Sequence, residues 1–257
     1  MRRLVLSVAV LSVASVAGAQ YAGPGGAVPI VANNPGLQGS LWRSDVSITN
    51  LDPSPTSVVL MLFPELVDDV PAFAPIMSDP VPVPAAGQVT FANVLQSVFG
   101  LTDVKGALQV ITTNGAPVLV SSRVFNIPED GGTFGQDAQA ILVADRASAG
   151  GLEHDSFYRT NIGIFLPVDP GSQQVVFEVT VRAADGSVAG AGYITFTEPG
   201  VIQKSLSAFG VGLLVDGWVS VTCTDPGMTW YGYASRVDQT TGDAVFRPMK
   251  GFATALP

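Results

Sequence analysis

The sequence predicts an all-β chain: two tandem immunoglobulin-like β-sandwich repeats related by an internal duplication. Three observations predict it. The stretch Leu41-Trp42-Arg43-Ser44-Asp45-Val46-Ser47-Ile48-Thr49-Asn50 returns as Phe157-Tyr158-Arg159-Thr160-Asn161-Ile162-Gly163-Ile164-Phe165-Leu166. Both copies alternate with the period of two of a strand that buries one face. The composition, with 28 Gly and 19 Pro punctuating runs of Val, Ile, Thr and Phe, belongs to short strands joined by turns and offers little helical spacing. In the first copy Trp42, Val46 and Ile48 are expected inward, with Arg43 and Asp45 on the other face; in the second, Tyr158, Ile162 and Ile164 are inward, with Arg159 and Asn161 opposite.

Taken in order, the chain begins with an export signal. Met1-Arg2-Arg3 is a short basic start, Leu4 to Val16 an apolar run, and Ala17-Gly18-Ala19 a small-residue cleavage pattern. Residues 1–19 are therefore read as a signal peptide and Gln20 as the first mature residue, in a secreted, extracellular or periplasmic protein. The apolar run is shorter than the ~20 residues a bilayer span needs, and no later stretch is a candidate span. No Cys follows the signal to take a lipid, and Ala255-Leu256-Pro257 carries no attachment signal.

Losing Arg2 and Arg3 leaves 10 basic against 21 acidic residues and moves the formal charge from −9 to −11. Such a surface repels nucleic acid phosphates and anionic lipid, so neither is an expected partner; a protein or glycan at the cell surface is. Cys223 is the only cysteine, so stability has to come from apolar burial and not from disulfides.

Residues 20–36, rich in Gly, Pro and Ala, show no usable period and read as an extended N-terminal arm, free or laid along a neighbour. The first repeat spans 37–146 and the second 147–257. After the opening strand, Asp52-Pro53-Ser54-Pro55 turns into Val58 to Phe63, a wholly apolar strand expected to be covered on both faces. In the second repeat Asp169-Pro170-Gly171 leads into Val175 to Arg182, where Val175, Phe177, Val179 and Val181 share a face. The first repeat then inserts Pro64 to Pro84, whose six prolines limit it to an edge strand or surface loop. Phe91, Val94, Leu95 and Val98 have helical spacing, and Leu206 to Val211 is the shorter counterpart.

Each repeat is expected to close with a hairpin. In the first, Gly106 to Ile111 turns at Asn114-Gly115 into Val118 to Asn126; in the second, Gly217 to Val221 turns at Asp225-Pro226-Gly227 into Thr229 to Asp238. The returning strands share Ser122-Arg123-Val124 and Ser235-Arg236-Val237, so Arg123 and Arg236 are read as equivalents. Six or seven short strands per repeat fit the immunoglobulin-like pattern, and about 110 residues suffice for a core without staples. The same strands also allow the halves to complete one larger sandwich or barrel across a pseudo-two-fold axis.

The pattern Trp42-Arg43-Ser44-Asp45-Val46 with Asn50, the strand Ser122-Arg123-Val124-Phe125-Asn126, the turn Thr133-Phe134-Gly135-Gln136 and the strand Ser235-Arg236-Val237-Asp238 resembles exported bacterial proteins with tandem β-sandwich repeats and no assigned activity. The resemblance covers most of the mature chain and implies export and sandwich repeats. It carries over no catalytic residue, and the second repeat departs from the first at Asn161 and Asp238.

The residues that bear chemistry point away from catalysis. His154 is the only histidine and sits among Glu153, Asp155 and Ser156 before a strand, an arrangement that reads as a solvated loop because sequence neighbours rarely adopt triad geometry. No G-x-S-x-G elbow is present. The acid pairs Asp68/Asp69 and Glu129/Asp130 are adjacent in loops and not opposed across a cleft. Asp130, Asp137, Asp238 and Asp243 lack EF-hand spacing and read as turn residues before calcium ligands. No metal or other cofactor is expected.

Four residues remain as candidates for a ligand or for fixing strand register. Arg123 and Arg236 each present a planar donor fork inside an apolar strand, Asp45 is the acid best placed to answer one, and Trp230 is the aromatic expected to reach the surface if its neighbour Tyr231 does not. The reading that follows is a non-catalytic secreted structural or interaction protein. The alternative is a carbohydrate-binding module that stacks sugars on exposed aromatics.

Overall fold

The computed structural model describes residues 22–36, 39–67, 70–129, 131–171 and 173–251. Residues 1–19, expected to be a signal peptide, fall outside them, as do Asp68, Asp69, Asp130 and the C-terminal tripeptide. The first half holds β1 (Gly25–Pro35), β2 (Leu41–Asn50), β3 (Thr56–Pro64), the short β4 (Leu66–Val67), β5 (Val70–Pro71), β6 (Ile76–Met77) and β7 (Val81–Val83), then β8 (Gln88–Phe91), helix α1 (Val94–Phe99), β9 (Val104–Thr112), β10 (Val118–Ile127) and β11 (Phe134–Asp137). After β12 (Leu142–Ala144), the second half holds β13 (Arg146–His154), β14 (Tyr158–Leu166), β15 (Val175–Ala183), β16 (Val188–Phe196), β17 (Gly200–Ser205), β18 (Leu214–Cys223), β19 (Thr229–Asp238), β20 (Ala244–Pro248) and β21 (Lys250–Gly251). The chain is all-β, and its named sheets are antiparallel throughout.

Each half is two layers with an apolar interior. In the second half, one sheet runs β16-β15-β18-β13-β21 and the other β12-β19-β14-β17, with β20 also on β19. Phe177, Val179 and Val181 from the first sheet meet Ile162, Ile164, Trp230 and Ala234 from the second in one buried cluster. In the first half β10-β2-β8 and β9-β3-β7 play these parts, and Val46, Ile48, Leu60, Leu62, Leu108 and Val120 fill the interior. The pairings recur: β2 with β8 and β10 as β14 with β17 and β19, β9 with β1 and β3 as β18 with β13 and β15, β10 with β11 as β19 with β20.

Gly25–Pro35, expected as part of an extended arm, free or laid along a neighbour, is a central strand. It pairs with β9 over most of its length and with β2 at its end, so it joins the two layers of the first half into one folded nine-stranded sheet. Ala27 to Ala32 are buried without interruption. A strand covered on both faces has no period of two, which is why its sequence did not look like a strand.

The expected closing hairpins are also replaced. β9 and β10 lie in opposite layers, as do β18 and β19, so Asn114-Gly115 and Asp225-Pro226-Gly227 are arches between sheets. Asn114 Oδ1 accepts from Thr56 Oγ1 (2.5 Å) and from the Ala116 N–H (3.2 Å), which ties the arch to β3. β1 and β13 occupy the positions beside β9 and β18 that hairpin partners would have taken.

The halves are joined by apolar side chains and not only by the chain. Phe165, Val201 and Tyr233 of the second half belong to the buried cluster of the first, and Leu66 of the proline-rich insert belongs to that of the second. Phe63 of β3 meets Phe165 edge-on at 5.2 Å, and Phe165 stacks on Tyr231 at 5.6 Å. The expectation that β3 is covered on both faces thus holds at Phe63, while Val59 and Met61 stay half-buried. Gly163 lies opposite Tyr233 in the register, and a Cβ there would collide with the tyrosine ring, so the glycine lets an aromatic lie flat across β14 at the seam. The insert clamps the same seam: Glu65 bridges to Val201 of β17 and its carboxylate takes Lys105 Nζ at 2.7 Å. The helical spacing becomes α1, which buries Val94 and Leu95, and a 3-10 turn at Leu206–Phe209, which buries Leu206 and Phe209.

Candidate functional site

The four residues selected from sequence do not converge. Arg123 and Asp45 face each other across β10 and β2 on the solvent side. Arg123 is exposed, donates to Thr133 Oγ1 at 2.6 Å and lies 4.6 Å from the Phe125 ring centre. Asp45 Oδ1 instead accepts from the Asn93 N–H (2.8 Å) and so holds the left-handed residue that starts α1. Trp230 is fully buried, edge-on to Phe177 at 5.1 Å, and the expectation that it could present a stacking face is corrected. Alternation does place it opposite to Tyr231, but Tyr231 is itself half-buried at the seam, where burial pushes its hydroxyl up to about 12.

Arg236 is not the counterpart of Arg123. Ser44 and Thr160 occupy matching places, each a buried hydroxyl that ties its strand to the layer above: Ser44 Oγ accepts from the Ala32 N–H at 2.8 Å, and Thr160 Oγ1 donates to the Glu153 carbonyl. Yet Ser44 stands opposite Val124, whereas Thr160 stands opposite Arg236. The shared Ser-Arg-Val is therefore one residue out of step between the halves, and a slip of one moves a side chain to the other face. Arg236 points between the layers, where it pairs with Glu153 of β13 at 2.9 Å and covers the Tyr158 ring at 4.8 Å.

The loop acids are spent on backbone. Asp155 Oδ1 accepts from the Phe157 and Tyr158 N–H groups, both at 2.7 Å, and His154 Nδ1 accepts from the Thr160 N–H at 3.3 Å, so this cluster closes the β13–β14 connection. Burial draws the His154 pKa below its ordinary value, Asp155 acts in the opposite direction, and Arg159 adds to the lowering. Asp52, Asp169 and Asp185 each hold an N–H two residues on, the turn chemistry their position predicts. Among the described residues no three of His, Cys, Asp and Glu group as a metal site. Cys223 is buried, and that burial raises its thiol pKa.

A groove between the halves holds two of the buried polar groups that lack a partner among the described residues, Asn126 and Arg159. Its first wall is the β2–β10 end, with Ser40, Trp42 and Asn126, the last two directly opposed in register. Its second wall is Arg159 of β14, the end of β19 at Val237 and Asp238, and the loop that follows to Gly242. The cavity holds about 70 Å³ and opens to solvent. The loop is fixed by its own hydrogen bonds: Asp238 Oδ1 accepts from the N–H groups of Thr240 (2.7 Å) and Thr241 (3.0 Å), which lowers the carboxyl pKa, with the Thr241 bond the larger cause. Gly242, at φ +73°, lets the Asn126 amide approach so closely that a Cβ would collide with it.

Among the described residues, two groups at this groove find no hydrogen-bond partner. Asn126 is 2% exposed and its Oδ1 is buried without a partner; Arg159 Nε is buried without an acceptor. Among the described residues no acid pairs with Arg159, and burial lowers its pKa from the ordinary guanidinium value. A buried donor or acceptor left unmade costs about 1–3 kcal/mol, so two in one groove is a notable concentration. Arg159 was visible in the sequence as the polar face of the repeated strand, and Trp42 and Asn126 as parts of its motif. No local signal brings them together, because the groove exists only where one half meets the other.

A second surface is the outer face of β16-β15-β18-β13. Trp218 is 36% exposed there with the Arg182 guanidinium 5.9 Å from its ring centre, and Tyr193, 64% exposed, stands opposite Glu178. Gly150 faces Trp218 across the register and leaves its flank open. No helix among the described residues is long and apolar enough to cross a membrane. No protein-family model matches the chain, and no curated protein or solved structure does either.

Proposed function

We propose that this chain is a non-catalytic, secreted structural or interaction protein of the cell surface or extracellular space, built from two immunoglobulin-like β-sandwich repeats that arose by duplication. The observation that carries the reading is the apolar seam. Phe63, Phe165, Tyr231 and Tyr233 lock the halves into one body, as a rigid scaffold requires and a pair of freely swinging modules does not. The recurrence of strand pairings supports the duplication, and the commitment of loop aspartates to backbone N–H groups supports a role without acid–base chemistry. The test is co-sedimentation of the purified chain from Gln20 onward with cell-envelope material, beside sedimentation velocity of the protein alone. Association with the envelope, or assembly into oligomers, is expected. A protein that stays monomeric and in the supernatant at every concentration rules the reading out.

Carbohydrate binding is the second reading, and a different aromatic pair favours it from the one the sequence suggested. Trp218 and Tyr193 lie on an open sheet face beside Arg182 and Glu178, a flat surface suited to pyranose stacking. A glycan array with wild type and Trp218→Ala tests it: signal lost in the variant supports stacking there, and no signal from either removes it.

A further inference from the structure

The geometry points to the groove between the halves as a binding site for an acidic sugar, with Arg159 taking the carboxylate. The inference narrows the interaction reading above to one site and one ligand class, and it rests on that reading.

Four features of the groove set the ligand chemistry. Arg159 is a half-buried guanidinium that makes no ion pair among the described residues, although Asp238 lines the same groove, so its fork is open to a ligand anion. A guanidinium offers a planar donor fork that carboxylate and phosphate both fit in a bidentate way, and the single charge of a carboxylate is the one that the nearby Asp238 tolerates better. Asn126 Oδ1, buried and unpartnered, needs a donor from the ligand and so selects a group that carries a hydroxyl or N–H near its carboxylate. Trp42, half-buried in the same wall, adds apolar surface, and Ser40 and Thr241 also line the groove. Asp238 stands in the opposite wall. Its carboxylate repels a second acid but accepts from a hydroxyl, so the groove selects a ligand with one negative charge and several hydroxyls.

A uronic acid meets each requirement: carboxylate to Arg159, ring hydroxyls to Asn126 and Asp238, and a pyranose face to Trp42. A polyanion is disfavoured by the formal charge of −11 that the chain carries from Gln20 onward. An α-amino acid offers the same carboxylate with an ammonium in place of hydroxyls, and it is the competing outcome in the test.

The probes are galacturonate, glucuronate, glucose and glycine, titrated by calorimetry into the folded chain from Gln20 onward at low salt. Saturable binding of a uronate is expected, with none for glucose. Arg159→Gln is expected to weaken it at least about tenfold, the scale of one charge-assisted hydrogen bond. Arg159→Lys keeps the charge without the fork and is expected to fall between the two, which leaves a reading if the glutamine variant does not fold. Arg43→Gln, the same motif position in the first half, is expected to bind as wild type. No saturable uronate heat, equal binding by both Arg159 variants and wild type, or tighter binding of glycine overturns the proposal. If uronate fails while envelope association persists, the groove proposal alone is lost; if both fail, the interaction reading goes with it.

Discussion

Strands β10 and β19 carry the same Ser-Arg-Val and do opposite things with it. On β10 the outer face is wet: Ser121 and Arg123 are exposed, and Arg123 meets Thr133 and the Phe125 ring. On β19 the outer face is dry, because Tyr231 and Tyr233 are pressed against the first half, and the arginine has been moved inward to pair with Glu153. The difference teaches that a local motif does not fix the face of a strand. The buried hydroxyls Ser44 and Thr160 hold β2 and β14 in matching places, and the partner strand slides by one residue to put whichever face is more apolar against the available surface.

The largest effect should come from the dry face. Ser121 and Tyr233 occupy equivalent positions opposite Ser47 and Gly163. Tyr233→Ala removes a fully buried ring from the seam and is expected to cost about 3–5 kcal/mol in urea unfolding, whereas Ser121→Ala stays within about 0.5 kcal/mol. A similar small loss in both would erase the contrast between the two faces.

Next in size are the arginines. Arg236→Ala leaves Glu153 without its partner between the layers and should cost about 1–2 kcal/mol, while Arg123→Ala should cost less than about 0.5 kcal/mol. A double-mutant cycle with Glu153→Gln isolates the pair. Equal losses at the two arginines would mean that they are equivalents after all. Ser44→Ala and Thr160→Val then sharpen the register assignment: each loses one buried hydrogen bond, about 1 kcal/mol, and the two losses should match because the hydroxyls do the same task.

Much of the chain was legible where one face is wet. β2 and β15 alternate because solvent keeps one side polar, β14 alternates only as far as Ile162 before both of its faces are buried, and the sequence shows these stretches directly. Legibility fails where both faces are dry. β1 is buried from Ala27 to Ala32 and looks like a featureless arm, and Leu66 in the insert gives no hint that it enters the other half's core. The Asn-Gly and Pro-Gly dipeptides show a turn but not an arch, since turn chemistry sets the local bend and not the sheet in which the next strand lands. The groove was illegible for the same reason as β1. Trp42 and Asn126 come from one half and Arg159 from the other, and only the seam, made of contacts far apart in sequence, brings them within one cavity.

The smallest effect belongs to His154, and it bears on the same β13–β14 corner that holds Arg236 and Thr160. Its folded pKa lies below 6.5, chiefly because burial disfavours the imidazolium, with Arg159 adding to the lowering and Asp155 opposing it. The unfolded chain therefore takes up a proton at this residue before the folded chain does as the pH falls. Stability from the neutral imidazole is complete above pH 6.5 and is lost as the pH falls from there toward the folded value. Because the chain has a single histidine, no other imidazole titrates in that window. Urea midpoints between pH 7.5 and 5.5 should decline for wild type and decline less for His154→Gln, whose amide oxygen can still accept from the Thr160 N–H. The same slope in both proteins would show that the corner is open to water, and the layered contrast between the inward Arg236 and the outward Arg123 would lose its nearest support.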